Sequence, residues 1–381
     1  MRKFYALLIT SLLSINAYAQ CNLYSVSNNT NAGTSILENY ISFNGTSTSV
    51  GTVTGLDYMW NAVLTYDTQF GKIVGMGSNT SSVDMVFVID PGTASSTTYT
   101  PTYDNMNFVM VGGQLYSVSN NSNGGFAILE TYNSSNGTST LVGTIPGLNY
   151  MWDGVLVYDS QTGKIVGMGT NTSNVDKVFV IDPADASATS YTPTYDNMNF
   201  VMVGNQLYSV SNNTNSGVSI LETYNASNGT SSLVGTVPGL DYMWNGVLDY
   251  DSPNGRIVGL GTNTSNVDKV FVINPSDAST TTYTPTYDNM NFVAVPCATS
   301  IHNPAPQISF STTPNPASSN ITVNYGNEEI VSIKAISSTG IVIPLVSEGN
   351  SVNVSSLNKG LYTLIIQTKN GMNGVSKFVK E

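Results

Sequence analysis

Three tryptophans, Trp60, Trp152 and Trp244, stand 92 residues apart. Each follows a tyrosine by two positions (Tyr58, Tyr150, Tyr242) and precedes an amide or carboxylate (Asn61, Asp153, Asn245). An aromatic plane covers the C–H face of a sugar ring, and a planar amide or carboxylate holds its hydroxyls, so this set of types suits carbohydrate recognition. A second set is acidic: Asp104, Asp196 and Asp288 stand in the phrase Y-D-N-M-N-F, again 92 apart. The single histidine, His302, lies in a Pro-rich stretch, so no Ser-His-Asp triad, Cys-His pair or His-built zinc site is available. Nor does a glycine-rich phosphate loop follow a strand and open a helix.

The elements that must position these residues are set by repetition. L-Y-S-V-S begins at Leu23, Leu115 and Leu207. Within each copy a looser half-repeat is visible, because an Asp or Asn two residues before Met occurs at 57, 104, 149, 196, 241 and 288, in steps of 47 and 45. Six units of about 46 residues match the length of a four-stranded propeller blade. Strand signals agree: apolar Phe108 to Val111 for an inner strand, alternating Gln114 to Ser119 for a second, Phe126 to Tyr132 for a third and Ser139 to Ile145 for a fourth. The next blade uses Gly154 to Val157, Lys164 to Met168, Lys177 to Ile181 and Ser190 to Pro193. The expected fold is all-β, a six-bladed β-propeller over 21–298.

The cysteines bear on closure. Cys21 and Cys297 are 276 residues apart, three full periods, so both occupy the phase of Gly113 and Asn205 in the hairpin between first and second strands. In a closed ring the chain ends meet in that hairpin, and a Cys21–Cys297 disulfide staples it; an exported protein permits such a bond.

In such a ring, the residues that lead into the inner strands gather at one mouth of the channel. This makes Tyr58, Trp60, Asn61, Tyr150, Trp152, Asp153, Tyr242, Trp244, Asn245, Asp104, Asp196 and Asp288 the candidate ligand-binding residues. Other readings stand beside this one. The methionines Met59, Met106, Met151, Met198, Met243 and Met290 suit packing between blades, the preceding Asp or Asn suits satisfying backbone N–H groups at a turn, and the tryptophans suit inter-blade filling. Paired acids for glycosidic cleavage need different environments, which a near-symmetric ring does not give Asp57, Asp104, Asp196, Asp241 and Asp288. Non-catalytic recognition of carbohydrate therefore leads, with a structural or adhesive protein that binds another protein, and a polysaccharide hydrolase or lyase, as alternatives. No cofactor is expected; calcium stays open at Asn174-Val175-Asp176 and Asp182-Pro183-Ala184-Asp185, which match no known loop spacing. Between 21 and 298 there are five Lys or Arg against 20 Asp or Glu, a net −15, which disfavours nucleic acid and anionic membranes.

Residues 1–19 read as a secretory signal: Arg2-Lys3, an apolar Phe4 to Ile15, and Ala17-Tyr18-Ala19. The apolar stretch is too short to span a bilayer, and the sequence offers no transmembrane segment. From Ala298 the composition shifts; 299–307 is a Pro-rich linker and 308–381 a small β domain, an immunoglobulin-like sandwich in expectation. Its landmarks are Pro314-Asn315-Pro316-Ala317, a turn at Thr339-Gly340, Ser356-Leu357 with Gly360 and Tyr362, and a closing strand Val375 to Lys380. In this order they resemble the A-type C-terminal sorting domain of bacterial type IX secretion, with Ile341 to Pro344 departing from the family's Lys-bearing turn. The resemblance implies contact with the type IX machinery, transit across the outer membrane, and a secreted or cell-surface location.

Overall fold

The computed structural model describes residues 22–29, 33–121, 125–213, 217–295, 310–324, 330–337, 342–368 and 373–381. The signal segment, Cys21, Cys297 and the linker 299–307 lie outside the described residues. The chain divides into two compact units, Met1–Cys297 and Ala298–Glu381.

The first unit consists of six four-stranded antiparallel sheets. Blade 2 contains Leu56–Asp67, Lys72–Asn79, Asp84–Ile89 and Ser96–Tyr99; blade 3 contains Asp104–Val111, Gln114–Asn121, Phe126–Asn133 and Thr138–Thr144. Blades 4 and 5, then blade 6, repeat this plan, the inner strands being Leu148–Asp159, Asp196–Val203 and Leu240–Asp251. Blade 1 is composite. Its inner strand, Asp288–Val295, comes from the end of the unit and pairs with Asn22–Asn29 from its beginning. The partners Asn22↔Val295 and Leu23↔Ala294 reproduce Gln114↔Val111 and Leu115↔Met110 of blade 3.

The seam is built like the other blade junctions. Tyr283 donates its hydroxyl to the Phe43 carbonyl at 2.7 Å, as Tyr99 does to Ser135 and Tyr191 to Ser227 at 2.9 Å. At this seam Ser42 also donates to the Asp251 carboxylate, and Ser134 makes the corresponding bond to Asp67 at 2.5 Å. The ring is closed by contacts of the kind that join its interior blades.

Side chains alternate across each strand, and the apolar set from one blade meets that of the next. Met59 packs with Val26 and Leu37 of blade 1 and with Ile73 and Phe87 of its own blade; Met106 packs with Met76 and Val86 of blade 2. All six repeated methionines are fully buried, as the inter-blade reading requires. Burial of each such side chain stabilises by about 1.5–3 kcal/mol.

One expectation needs correcting. The inner strands of blades 2, 4 and 6 begin at Leu56, Leu148 and Leu240, and those of blades 3, 5 and 1 at Asp104, Asp196 and Asp288. The aromatic and acidic candidates therefore lie on strands and not on loops leading into them, because backbone pairing such as Tyr58↔Ser78 and Asp104↔Asn120 extends the ladder beyond the apolar run.

The second unit is two four-stranded sheets facing each other over one core of Ile321, Val323, Val352, Ala335, Leu364, Ile366 and Phe378. Asn315 explains part of its Pro-Asn-Pro-Ala motif. Its side chain accepts from Val379 N–H at 2.9 Å and donates to the Lys377 carbonyl at 3.1 Å, stitching the motif to the last strand. Ala317, 1% exposed, fills the core behind it.

Candidate functional site

The site begins with a bulge. In blade 2, Met59 pairs with Gly77 and Leu64 with Gly75, so Trp60, Asn61, Ala62 and Val63 lie opposite Met76 alone. Three extra residues in one strand bend it and re-aim the side chains there. The partner strand must come close to accommodate this. A Cβ on Gly77 would meet the Tyr58 carbonyl oxygen at 2.5 Å and Leu56 at 2.7 Å. The Gly-x-Gly pattern recurs at Gly167-Met168-Gly169 and Gly259-Leu260-Gly261, with the same bulge in blades 4 and 6.

Asparagines hold the bulged strand from both sides. Asn28 Oδ1 accepts from Met59 N–H at 3.3 Å, and Asn289 Nδ2 donates to the Met59 carbonyl at 2.8 Å. Asn120 and Asn105 treat Met151 in the same way, and Asn212 and Asn197 treat Met243. Asn105, Asn197 and Asn289 take left-handed backbone angles, with φ of 55°, 52° and 51°, a conformation Asn tolerates better than most residues. The middle residue of each Asp-x-Met phrase thus has two uses: Asn clamps a neighbouring blade, and Tyr faces outward.

Beside the bulge of blade 2 opens a cavity of about 520 Å³, lined by Tyr58, Trp60, Met76, Asp84, Pro101, Asp104, Asn105 and Tyr150. It brings together four sequence candidates from three consecutive blades: Tyr58 and Trp60, Asp104, and Tyr150. Trp60 has a double role. It packs against the core between blades 2 and 3, and its Nε1 donates to Ser78 Oγ at 3.2 Å, which in turn donates to Asp84 at 3.2 Å. Tyr58 is 43% exposed and Tyr150 41% exposed, and burial of its inner part raises the Tyr58 hydroxyl's pKa.

The residues one period further on repeat these types: Tyr150, Trp152, Asp176, Asp196 and Tyr242, then Tyr242, Trp244, Asp268, Asp288 and Tyr58. Trp152 packs against the core between blades 4 and 5, and Trp244 against that between blades 6 and 1. Tyr242 meets Trp244 edge to face at 6.2 Å between ring centroids. Asp176 has a raised pKa, first through partial burial and then through the charge of Asp196. Asn61, Asp153 and Asn245 lie in the bulged strands, but their side chains are outside the described residues.

Sequence reasoning weighed Asp176 for calcium alone and missed both Asp268 and Asp84. Asp84 starts the third strand, where its only signal was the period of 92 in the phrase V-D-x-V-F-V. It also missed three buried glutamates. Glu38, Glu130 and Glu222 are each 2% exposed. Ser47 and Ser27 donate to Glu38 at 2.5 and 3.1 Å, Ser139 and Ser119 to Glu130 at 2.7 and 3.3 Å, and Ser231 and Ser211 to Glu222 at 2.6 and 3.4 Å. Burial pushes Glu130 and Glu222 up in pKa against the pull of these hydroxyls. They are internal struts between strands.

The oxygen-rich turn considered for calcium closes on itself. Asp182 pairs with Lys164 and caps Ala184 N–H at 2.9 Å, and Asp185 caps Ser187 N–H at 2.9 Å. Among the described residues no group of three or more His, Cys, Asp or Glu gathers to hold a metal. No helix among them is long and apolar enough to cross a membrane.

Residues 312–381 match the family model described as "Secretion system C-terminal sorting domain". This stretch is a type IX sorting domain. The sorting domain directs export through type IX secretion to the cell surface or extracellular space. No curated protein matches the sequence. Among solved structures, the first unit is similar to a chain of a nidogen/laminin complex, at 12% identity over 72% of this chain and 98% of that one, with a TM-score of 0.52. It is also similar to TolB from Acinetobacter baumannii, at 10% identity over 72% of this chain and 66% of that one, with a TM-score of 0.53. At such identities the likeness speaks for the propeller fold alone.

Proposed function

We propose that the propeller is a non-catalytic recognition module that binds carbohydrate at the cell surface or outside the cell. The observation that carries this reading is the cavity uniting Tyr58, Trp60, Asp104 and Tyr150. Its aromatic walls suit the C–H faces of sugar rings, and its carboxylates and the Asn105 amide suit hydroxyl groups. Its residue types recur at a period of 92, so a repeating glycan engages more than one copy with gain in avidity. The site rests on paired strands and not on loops, which limits the ordering entropy lost on binding.

A glycan array probed with the full chain tests this. Binding to a defined set of oligosaccharides, weakened by Trp60→Ala and Trp152→Ala, is the expected result. An array on which no glycan is retained above background contradicts it.

A further inference from the structure

We infer that the glycan taken by this cavity is cationic: a polymer whose sugars carry free, protonated amino groups. The inference rests on the carbohydrate reading above and narrows it. The cavity wall presents three aromatic rings, Tyr58, Trp60 and Tyr150, together with two carboxylates, Asp84 and Asp104, and its lining residues include no Lys or Arg. An ammonium donates three hydrogen bonds and is attracted to the faces of Trp and Tyr, so rings and carboxylates favour the same ligand group.

Two further observations point the same way. One period on, Asp176 stays exposed at the start of its strand, and partial burial followed by the charge of Asp196 raises its carboxyl's pKa. Like charges held together on a fixed scaffold lose their repulsion when a cation enters between them. The surrounding field has the right sign as well, since residues 21–298 carry five Lys or Arg against 20 Asp or Glu, which raises the local concentration of cations at the surface.

The copies also differ in an informative way. Met85 stands where the other two have Lys177 and Lys269. Those ammonium groups bond Thr192 and Thr284 at 2.8 and 2.9 Å, next to Pro193 and Pro285, the counterparts of cavity-lining Pro101. The cavity of the first copy lacks that neighbouring positive charge and is the strongest cation site of the three.

The test uses calorimetric titration of the full chain with chito-oligosaccharides, fully deacetylated or fully N-acetylated, at about pH 5.5. The deacetylated form is expected to bind about tenfold tighter or better, and this advantage should shrink several-fold on raising salt from about 0.05 to about 0.5 M. In the triple variant Asp104→Asn, Asp196→Asn, Asp288→Asn the ratio of the two affinities should fall to near one. Met85→Lys, which installs the residue of the other copies, should reduce the advantage. Equal binding of both forms, or a preference for the N-acetylated one, overturns the cationic ligand and leaves carbohydrate recognition standing. Retention of neutral glycans on the array with no binding of either chito-oligosaccharide does the same. No binding of any glycan overturns both.

Discussion

Asp249 breaks the threefold pattern inside the central channel, and replacing it gives a signature whose size follows from the structure. Thr65 and Val157 occupy the equivalent positions, and all six inner strands line the cavity of about 320 Å³ that Asp249 faces. Its carboxylate accepts from Tyr250 N–H at 2.7 Å and from Ala294 N–H at 2.5 Å. Ala294 itself stands where the other copies have Met110 and Met202, so the closing strand of the ring is fitted to this acid. Burial raises the Asp249 pKa to about 6, with the charge of Asp251 adding to the rise and the two N–H bonds opposing it. The unfolded value is about 3.9. The folded protein thus holds this proton more tightly than the unfolded chain. The associated stability is fully present below about pH 4 and is lost as pH rises through about 6. Two pK units correspond to about 3 kcal/mol, reduced to about 2 kcal/mol because part of the carboxylate opens on the lumen. Asp249→Asn removes the titration at nearly constant volume. Thermal unfolding of wild type and variant at about pH 4 and about pH 8 should show the variant's Tm gaining about 4–8 °C on wild type between those pH values. A Tm difference that is the same at both values, or that moves against the variant on raising pH, refutes the reasoning.

Other consequences can be checked on the same protein. Gly137 has φ of 72°, and a Cβ there would lie 2.2 Å from the Tyr99 ring; Gly137→Ala should lower stability by about 2 kcal/mol or more in denaturant unfolding, whereas Gly125→Ala, with nothing within 4 Å at φ of 69°, should cost about 1 kcal/mol. Asn289→Ala removes the donor to the Met59 carbonyl between blades 1 and 2 and should cost about 1–2 kcal/mol, seen as a lower urea midpoint. The proposed Cys21–Cys297 bond should leave no thiol reactive toward a maleimide in the unreduced, denatured protein, and reduction should lower Tm; one or two titratable thiols would show the staple to be absent.

How far the sequence reaches can be seen residue by residue. The ring was legible because period and strand alternation are covalent facts: Leu23, Leu115 and Leu207 must occupy like places, and six units of one length close on themselves. The burial of the six methionines was legible for the same reason. The reach of the inner strands was not, since Tyr58 and Asp104 are polar or exposed and only pairing with Ser78 and Asn120 on neighbouring strands makes them strand. The bulge at Trp60 depends on closeness to Gly77, which the Gly-x-Gly phrase hints at without saying what approaches it. Glu38 is hidden because its partners, Ser27 and Ser47, lie on flanking strands. Asp84 joins Asp104 only through the stacking of one blade on the next.

The central claim is that the outward aromatic face of the ring recognises sugars, and the exposed tyrosines test it most directly. Tyr58, Tyr150 and Tyr242 are 43%, 41% and 39% exposed, so changing all three to Ala should leave Tm within a few degrees of wild type while removing most glycan binding in titration calorimetry. Full glycan affinity in a folded triple variant would contradict the account.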